Sequence, residues 1–276
     1  MNKLFYTKIL FPLLVSMVIN IGCNKESANI DQIKIQEDNK EINLLHSLIL
    51  KNEHVIKNPY YLEKIKSKTK PDFMKTIQTE EGHHYHFFAF YGGSHQGILI
   101  MINENANTAN VWNDCGPISN VLDSSYWPFL QSNEILIIDS TGGSGSHHVY
   151  GILFSIKLNK AKYSFPLQGR QFQVPSSLYV YKIKTLEQKN NQLYLKGSIE
   201  RTELNDNSEP PAFGEKSNTK KFISFTYSIN NVYAESPKST FTADKTNHVV
   251  ASEIMGIDWH INTMNNLWNG YSLISG

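Results

Sequence analysis

Glu134–Phe165 reads EILIIDSTGGSGSHHVYGILFSIKLNKAKYSF, and its rhythm decides the fold. Glu134–Asp139 is a short apolar run rich in β-branched residues and closed by turn formers, the pattern of a strand buried on both faces. Ser140–Ser146 (STGGSGS) cannot pack: glycine loses conformational entropy on ordering, and serine competes for backbone hydrogen bonds. Val149–Ile156 resumes as a strand, Leu158–Ala161 turns with Asn159 suited to a positive φ, and Lys162–Phe165 alternates.

Outward from this stretch, the same layout recurs in Gly92–Trp112, GGSHQGILIMINENANTANVW. Aligning Gly97 with Gly151 places Ile98, Leu99 and Ile102 on Ile152, Leu153 and Ile156, and Asn105 on Asn159. Gly92-Gly93-Ser94 and Gly142-Gly143-Ser144 precede the two copies. The alternatives are a true repeat of propeller-blade size or the generic likeness of two hairpins. Further hairpins are expected at Ser177–Ile183 with Gln192–Ile199, turning at Lys189-Asn190-Asn191, and at Lys221–Ile229 with Val232–Glu235, turning at Asn230-Asn231. Gly116–Gln131 reads as a loop or short helix over a sheet edge, and Leu204–Thr219 as a loop.

Helical spacing appears only toward the ends. Ile42, Leu45, Ile49 and Leu50 predict a helix over Glu41–Lys57, and Asn58-Pro59 starts a second one running to Lys68. After Glu253, Ile254, Ile257, Ile261 and Met264 return to helical spacing. The expected fold is therefore mainly β: antiparallel sheets of consecutive hairpins, as a sandwich, open barrel or partial propeller, with helical segments at both ends. No βαβ alternation supports a parallel sheet.

The N-terminus has its own logic. Lys3 and Lys8 precede Ile9–Ile19, an apolar run of eleven residues. A membrane span needs about 20, so this is the length of a secretory core. It ends at Asn20-Ile21-Gly22-Cys23. Gly22-Cys23 resembles the bacterial lipoprotein signal, in which a small residue precedes the modified cysteine; Asn20 and Ile21 stand where that signal prefers leucine and a small residue. The resemblance covers the first 23 residues. It implies cleavage before Cys23, a diacylglycerol thioether on its sulfur, and a membrane partner through that anchor. Asn24 is not the aspartate of inner-membrane retention, which by resemblance to enterobacterial lipoproteins implies the outer membrane of the envelope. The expected organisation is a signal peptide over 1–22, a polar flexible tether over 23–40 and one mainly β domain over 41–276.

The 276 residues are 40% hydrophobic with a net charge of +1, so a substantial core can form. Without a basic stripe, no nucleic-acid partner is expected. The 28 asparagines favour turns over long helices. Of the two cysteines, Cys23 belongs to the leader, which leaves Cys115 alone and expected to be a buried thiol.

Candidate sites centre on the two glycine-serine loops: Ser94, His95, Ser144, Ser146, His147 and His148 as ligand-binding residues. Asp139-Ser140-Thr141-Gly142 has one residue too many for the aspartic-protease motif and no second copy. Gly142–Ser146 lacks the spacing and the following helix of a nucleophile elbow or a P-loop. The aromatics Tyr85, Phe87, Phe88, Phe90, Tyr91, Trp112, Trp127 and Trp259 read as core. No motif calls for a cofactor. The expected function is a non-catalytic binding or structural module for a protein or small-molecule partner. The alternative is an envelope hydrolase or metal-binding enzyme using His84, His86, His95, His147, His148 and Asp139.

Overall fold

Asparagines at left-handed angles close four of the hairpins among the described residues. The computed structural model describes residues 28–79, 82–92, 96–126, 130–142, 145–173, 177–203, 220–232, 234, 238–243, 248–257, 268 and 270–276. Within these, Asn107, Asn159, Asn190, Asn191 and Asn231 all take left-handed backbone angles, φ between 50° and 60°. Asparagine tolerates that region because its short side chain bonds locally to the backbone. Asn107 links β3 (Gly97–Asn103) to β4 (Thr108–Cys115), and Asn159 links β7 (Ser146–Ser155) to β8 (Lys160–Gln173). Asn190 and Asn191 link β9 (Ser177–Lys189) to β10 (Gln192–Glu203), and Asn231 follows β11 (Lys220–Asn230).

The strands form two antiparallel sheets, as the hairpin pattern predicts. A five-stranded sheet has the order β1 (Phe73–Gln78), β2 (His84–Tyr91), β3, β4 and β13 (Ser272–Ser275). An eight-stranded sheet runs β12 (Lys238–Ala243), β11, β10, β9, β8, β7, β6 (Glu134–Gly142) and β5 (Ile118–Leu122). The larger sheet curls on itself. The Tyr227 hydroxyl on β11 donates to the Ser164 carbonyl on β8 at 3.1 Å. In a flat sheet those strands would lie roughly 14 Å apart, three spacings of about 4.8 Å, beyond the reach of a tyrosine.

Period-two alternation sorts the side chains into layers. On β2, Phe87 and Ala89 face the larger sheet, meeting Ile137, Ile152 and Phe154, while Phe88 and Phe90 face helices. Those helices are α1 (Ala28–Lys51) and α2 (Pro59–Lys66), which bury Leu45, Leu48, Ile49, Tyr61 and Ile65 against the outer face of the five-stranded sheet. Asn58 caps α2 by accepting from the Tyr60 amide at 3.0 Å. A third core lies inside the curl, where Leu136, Phe165, Tyr181, Phe225 and Tyr227 pack with Ala251, Ile254 and Met255 of and just beyond α3 (His248–Ile254).

Several elements depart from the expectation. α1 begins at Ala28 rather than Glu41, so residues 28–40, read as a flexible tether, are helical; Ile30 and Ile33 lie at helical spacing among good helix formers. Gly116–Gln131 was expected to be loop or helix, yet Ile118–Leu122 is strand β5, paired with β6. The strand partner of β11 is Lys238–Ala243, not Val232–Glu235. Val232 instead tucks into the core, its amide donating to the Asn191 carbonyl at 2.9 Å. α3 ends at Ile254, Gly256 at φ +60° interrupts the helix expected after Glu253, and Ile257 is helical again. Residues 258–267, on which the rest of that helix was expected, lie outside the described residues, and the chain finishes as strand β13 on β4. Asn107, not Asn105, holds the left-handed turn position that matches Asn159, so the repeat alignment through Gly97 and Gly151 is not the structural register.

Candidate functional site at the glycine-serine loop end

The crossover between the sheets brings the bases of both glycine-serine loops to one end. β4 ends at Cys115, opposite Gly97, and the chain passes through Gly116-Pro117 into β5. Ile118 pairs with Asp139, just before the second loop, and its carbonyl accepts from the Tyr91 hydroxyl, just before the first, at 2.7 Å. Helix α2 holds the residues that flank the first loop: Tyr61 donates to the Gln96 carbonyl at 2.9 Å and Lys64 to the Tyr91 carbonyl at 3.0 Å.

Beneath these loops the registers line up four polar side chains. Asp139 of β6 stands opposite Tyr150 of β7. One pleat further on, His148 of β7, Gly169 of β8 and Tyr181 of β9 form a row. Residues in register share a face, and here glycine decides what meets. A Cβ on Gly169 would sit 2.5 Å from the Tyr181 ring; without it the tyrosine lies over Gly169 and its hydroxyl reaches His148 Nδ1 at 3.0 Å. His148 is stacked between Tyr150 and Tyr181, with centroids 6.0 and 5.8 Å away.

Burial sets the chemistry of the cluster. It lowers His148 to about 4, with the neighbouring His147 adding to the effect, so the ring is neutral at physiological pH. Burial raises Tyr150 and Tyr181, which stay protonated phenols. It also raises Asp139 to about 7, against opposing contributions from the Ser140 and Gly116 amides and the Trp268 side chain. Those groups lean toward the carboxyl, yet Oδ1 has no hydrogen bond of normal geometry among the described residues. Asp139 is thus a carboxyl that exchanges its proton near neutrality. The linkage has a definite sign: a raised folded-state value favours folding fully below the ordinary 3.8, and that contribution is lost as pH climbs to about 7. Asp139→Asn should therefore be more stable than wild type at pH 8, by about 1.4 kcal/mol for each pH unit that separates the folded from the unfolded carboxyl. Urea unfolding at pH 5 and pH 8 checks this; a variant less stable at pH 8 contradicts it.

Of the residues expected at the site, Ser146, His147 and His148 open β7: Ser146 is half-buried, His147 exposed and His148 buried. Ser94, His95, Ser144 and Cys23 lie outside the described residues, as do Trp127 and Trp259. Tyr85, Phe87, Phe88, Phe90 and Trp112 are core, and Tyr91 is half-buried at the loop base. The alternative reading draws on His84 and His86 as well as the loop histidines, but the strand separates the two groups. His84 and His86 sit at the far end of β2 from Tyr91, and five residues of strand put His86 about 17 Å from the loop end. Among the described residues no group of three or more histidine, cysteine or acidic side chains is placed to hold a metal ion. Tyr150, Tyr181 and the role of Gly169 were missed; the only sequence signal was tyrosine at alternate positions in Leu178–Tyr181.

Cys115 is buried beside this cluster, and burial followed by the nearby Asp139 charge pushes its thiol well above the ordinary value. A protonated, buried thiol does not attack. Ellman's reagent should leave Cys115 untouched in the native domain and label it on unfolding; rapid native labelling contradicts the burial.

No protein-family model, curated protein or solved structure matches this chain.

Proposed function

We propose that this chain is a bacterial envelope lipoprotein, anchored through Cys23, whose β domain is a non-catalytic binding module that engages its partner at the glycine-serine loop end. The anchor reading is supported by the short apolar leader and the Gly22-Cys23 junction. Two acyl chains hold a protein at a bilayer where one is marginal, each buried methylene contributing about 0.8 kcal/mol. The binding reading is carried by one observation: the bases of both loops meet around Ile118, above a buried row of hydrogen-bonding groups on Asp139, Tyr150, His148 and Tyr181. Backbone amides of glycine-rich segments serve recognition, and strands that flank such a segment fix where its ends lie. A small polar molecule or a peptide loop from a protein partner suits that end.

A thermal-shift screen of small polar molecules tests the binding half. A ligand at a hundred times its dissociation constant stabilises by about 2.7 kcal/mol. The expected hit raises the midpoint of wild type and raises that of His147→Ala less. Equal shifts in both proteins place the ligand elsewhere.

A second reading, acid–base catalysis, draws on Asp139 alone, because a carboxyl titrating near 7 suits proton transfer. Turnover of a hydrolysable substrate that vanishes in Asp139→Asn would favour it over the binding module.

A further inference from the structure

Far from the loop end, four elements converge on one imidazole. His86 of β2 is 5% exposed, under α1. Its Nδ1 lies 3.2 Å from Glu41 Oε1 of α1 and 2.9 Å from the Thr76 hydroxyl of β1. Its Nε2 lies 3.1 Å from Glu104 Oε2 in the β3–β4 turn. Thr76 donates to Glu41 Oε1 at 2.6 Å, and Lys40 of α1 donates to Glu104 Oε1 at 3.1 Å. The other titratable group on this face of β2 is His84, one pleat along; Phe88 lies on the other side and Ile102 opposite.

This geometry fits a ring that carries both protons. Each nitrogen faces an acceptor, and a neutral imidazole has only one N–H to offer. With both protons in place, Nδ1–H donates toward Glu41 and Thr76, Thr76 O–H donates to Glu41, and Nε2–H donates to Glu104. When Nδ1 loses its proton, its lone pair faces the Glu41 carboxylate. The Thr76 hydroxyl then turns to donate to Nδ1, and Glu41 loses both partners.

Glu41 matters because of where it sits. Among the described side chains, the apolar contacts of α1 with the sheet run from Leu44 and Leu45 through Leu48 and Ile49. Asn39 and Lys40 are exposed. Lys40 and Glu41 tie α1 to Glu104, Thr76 and His86 just N-terminal to that described seam, and the helix runs back to Ala28.

We propose that His86 is a pH-operated latch: the doubly protonated ring fastens the N-terminal half of α1 to the five-stranded sheet through Glu41, and loss of the Nδ1 proton unfastens it while the Leu45–Ile49 seam stays docked. This device is independent of the loop-end binding reading. The direction of titration agrees. Burial alone would lower His86, but the hydrogen bonds and charges of Glu41 and Glu104 outweigh it and raise the ring above 6.5. Burial would raise Glu41, yet the bonds to His86 and Thr76 lower it; the bonds from Lys40 and His86 lower Glu104. The latch is therefore complete from the ordinary carboxylate value of 4.5 up to 6.5, and it is lost as pH rises through the raised histidine value.

Hydrogen exchange followed by mass spectrometry on the full chain in detergent, with rates corrected for intrinsic pH dependence, tests this. Between pH 5.5 and pH 8.5, protection of peptides from Ala28 to Asn43 should fall about tenfold. Peptides from Leu45 to Lys51 should hold theirs. His86→Gln should remove the pH dependence of the first segment. Glu104→Gln, altered at a partly exposed carboxylate, should keep the fold and move the midpoint to lower pH, which covers the case in which His86→Gln does not fold. A pH-independent first segment in wild type, an equal fall in His86→Gln, or an unmoved midpoint in Glu104→Gln overturns the latch.

Discussion

Lys162→Met is expected to destabilise the domain by about 3–5 kcal/mol. Lys162 of β8 and Glu134 of β6 form an ion pair at 2.8 Å whose side chains are only 4% and 3% exposed. Lys162 also donates to the Val232 carbonyl at 3.0 Å, and the other Glu134 oxygen accepts from the Gln131 amide at 3.1 Å. The pair joins β6, β8 and the segment after β11, so it helps hold the curl of the larger sheet closed. Removing the cation leaves the Glu134 carboxylate buried against apolar neighbours, and that uncompensated charge is the main cost. The double variant Lys162→Met/Glu134→Leu should recover most of the loss, because it removes both charges. Urea unfolding of the three proteins gives the comparison. A single variant within about 1 kcal/mol of wild type, the range of exposed pairs, contradicts the burial of this pair.

Gly116→Ala is expected to cost at least about 3 kcal/mol, the upper range for overpacking. A Cβ at Gly116 would lie 1.7 Å from the Ser140 carbonyl oxygen and 2.6 Å from Asp139 Oδ1. The first obstacle is backbone, held by the Ser140 amide and hydroxyl donating to the Pro117 carbonyl at 3.2 and 3.0 Å. Relief would require β5 to part from β6 where the chain crosses between sheets. The loop end should loosen before the rest, so exchange at Ile118–Leu122 should rise more than at β9 or β10. An alanine variant with wild-type stability and exchange means that the crossover does not approach β6 so closely.

The hairpins were legible because asparagine marks their turns and the flanking residues alternate: Asn159 and Asn190-Asn191 sit where the sequence places them, at positive φ. Elements without that punctuation were not. β5 is five residues between Pro117 and a turn, too short for periodicity to separate from loop. β13 is four residues that become strand by adding to β4, a partner far away in the chain. The start of α1 was obscured by composition, since Lys, Glu and Gln suit a tether and a helix alike. At the loop end, His147 and His148 were visible as a pair, but adjacent strand residues face opposite ways, and only cross-strand register assigns one to water and the other to Tyr181. The His86 partnership was equally hidden, because Glu41, Thr76 and Glu104 have no sequence relation to it.

The anchor through Cys23 is tested most directly by phase partition and labelling. Wild-type protein made in a bacterial host fed labelled palmitate should enter the detergent phase of a Triton X-114 extraction and carry the label. Cys23→Ala should carry none and accumulate as uncleaved precursor, or as a soluble species if another peptidase cuts. Wild-type protein that stays in the aqueous phase without label would contradict the account and leave Cys23 as part of an ordinary leader.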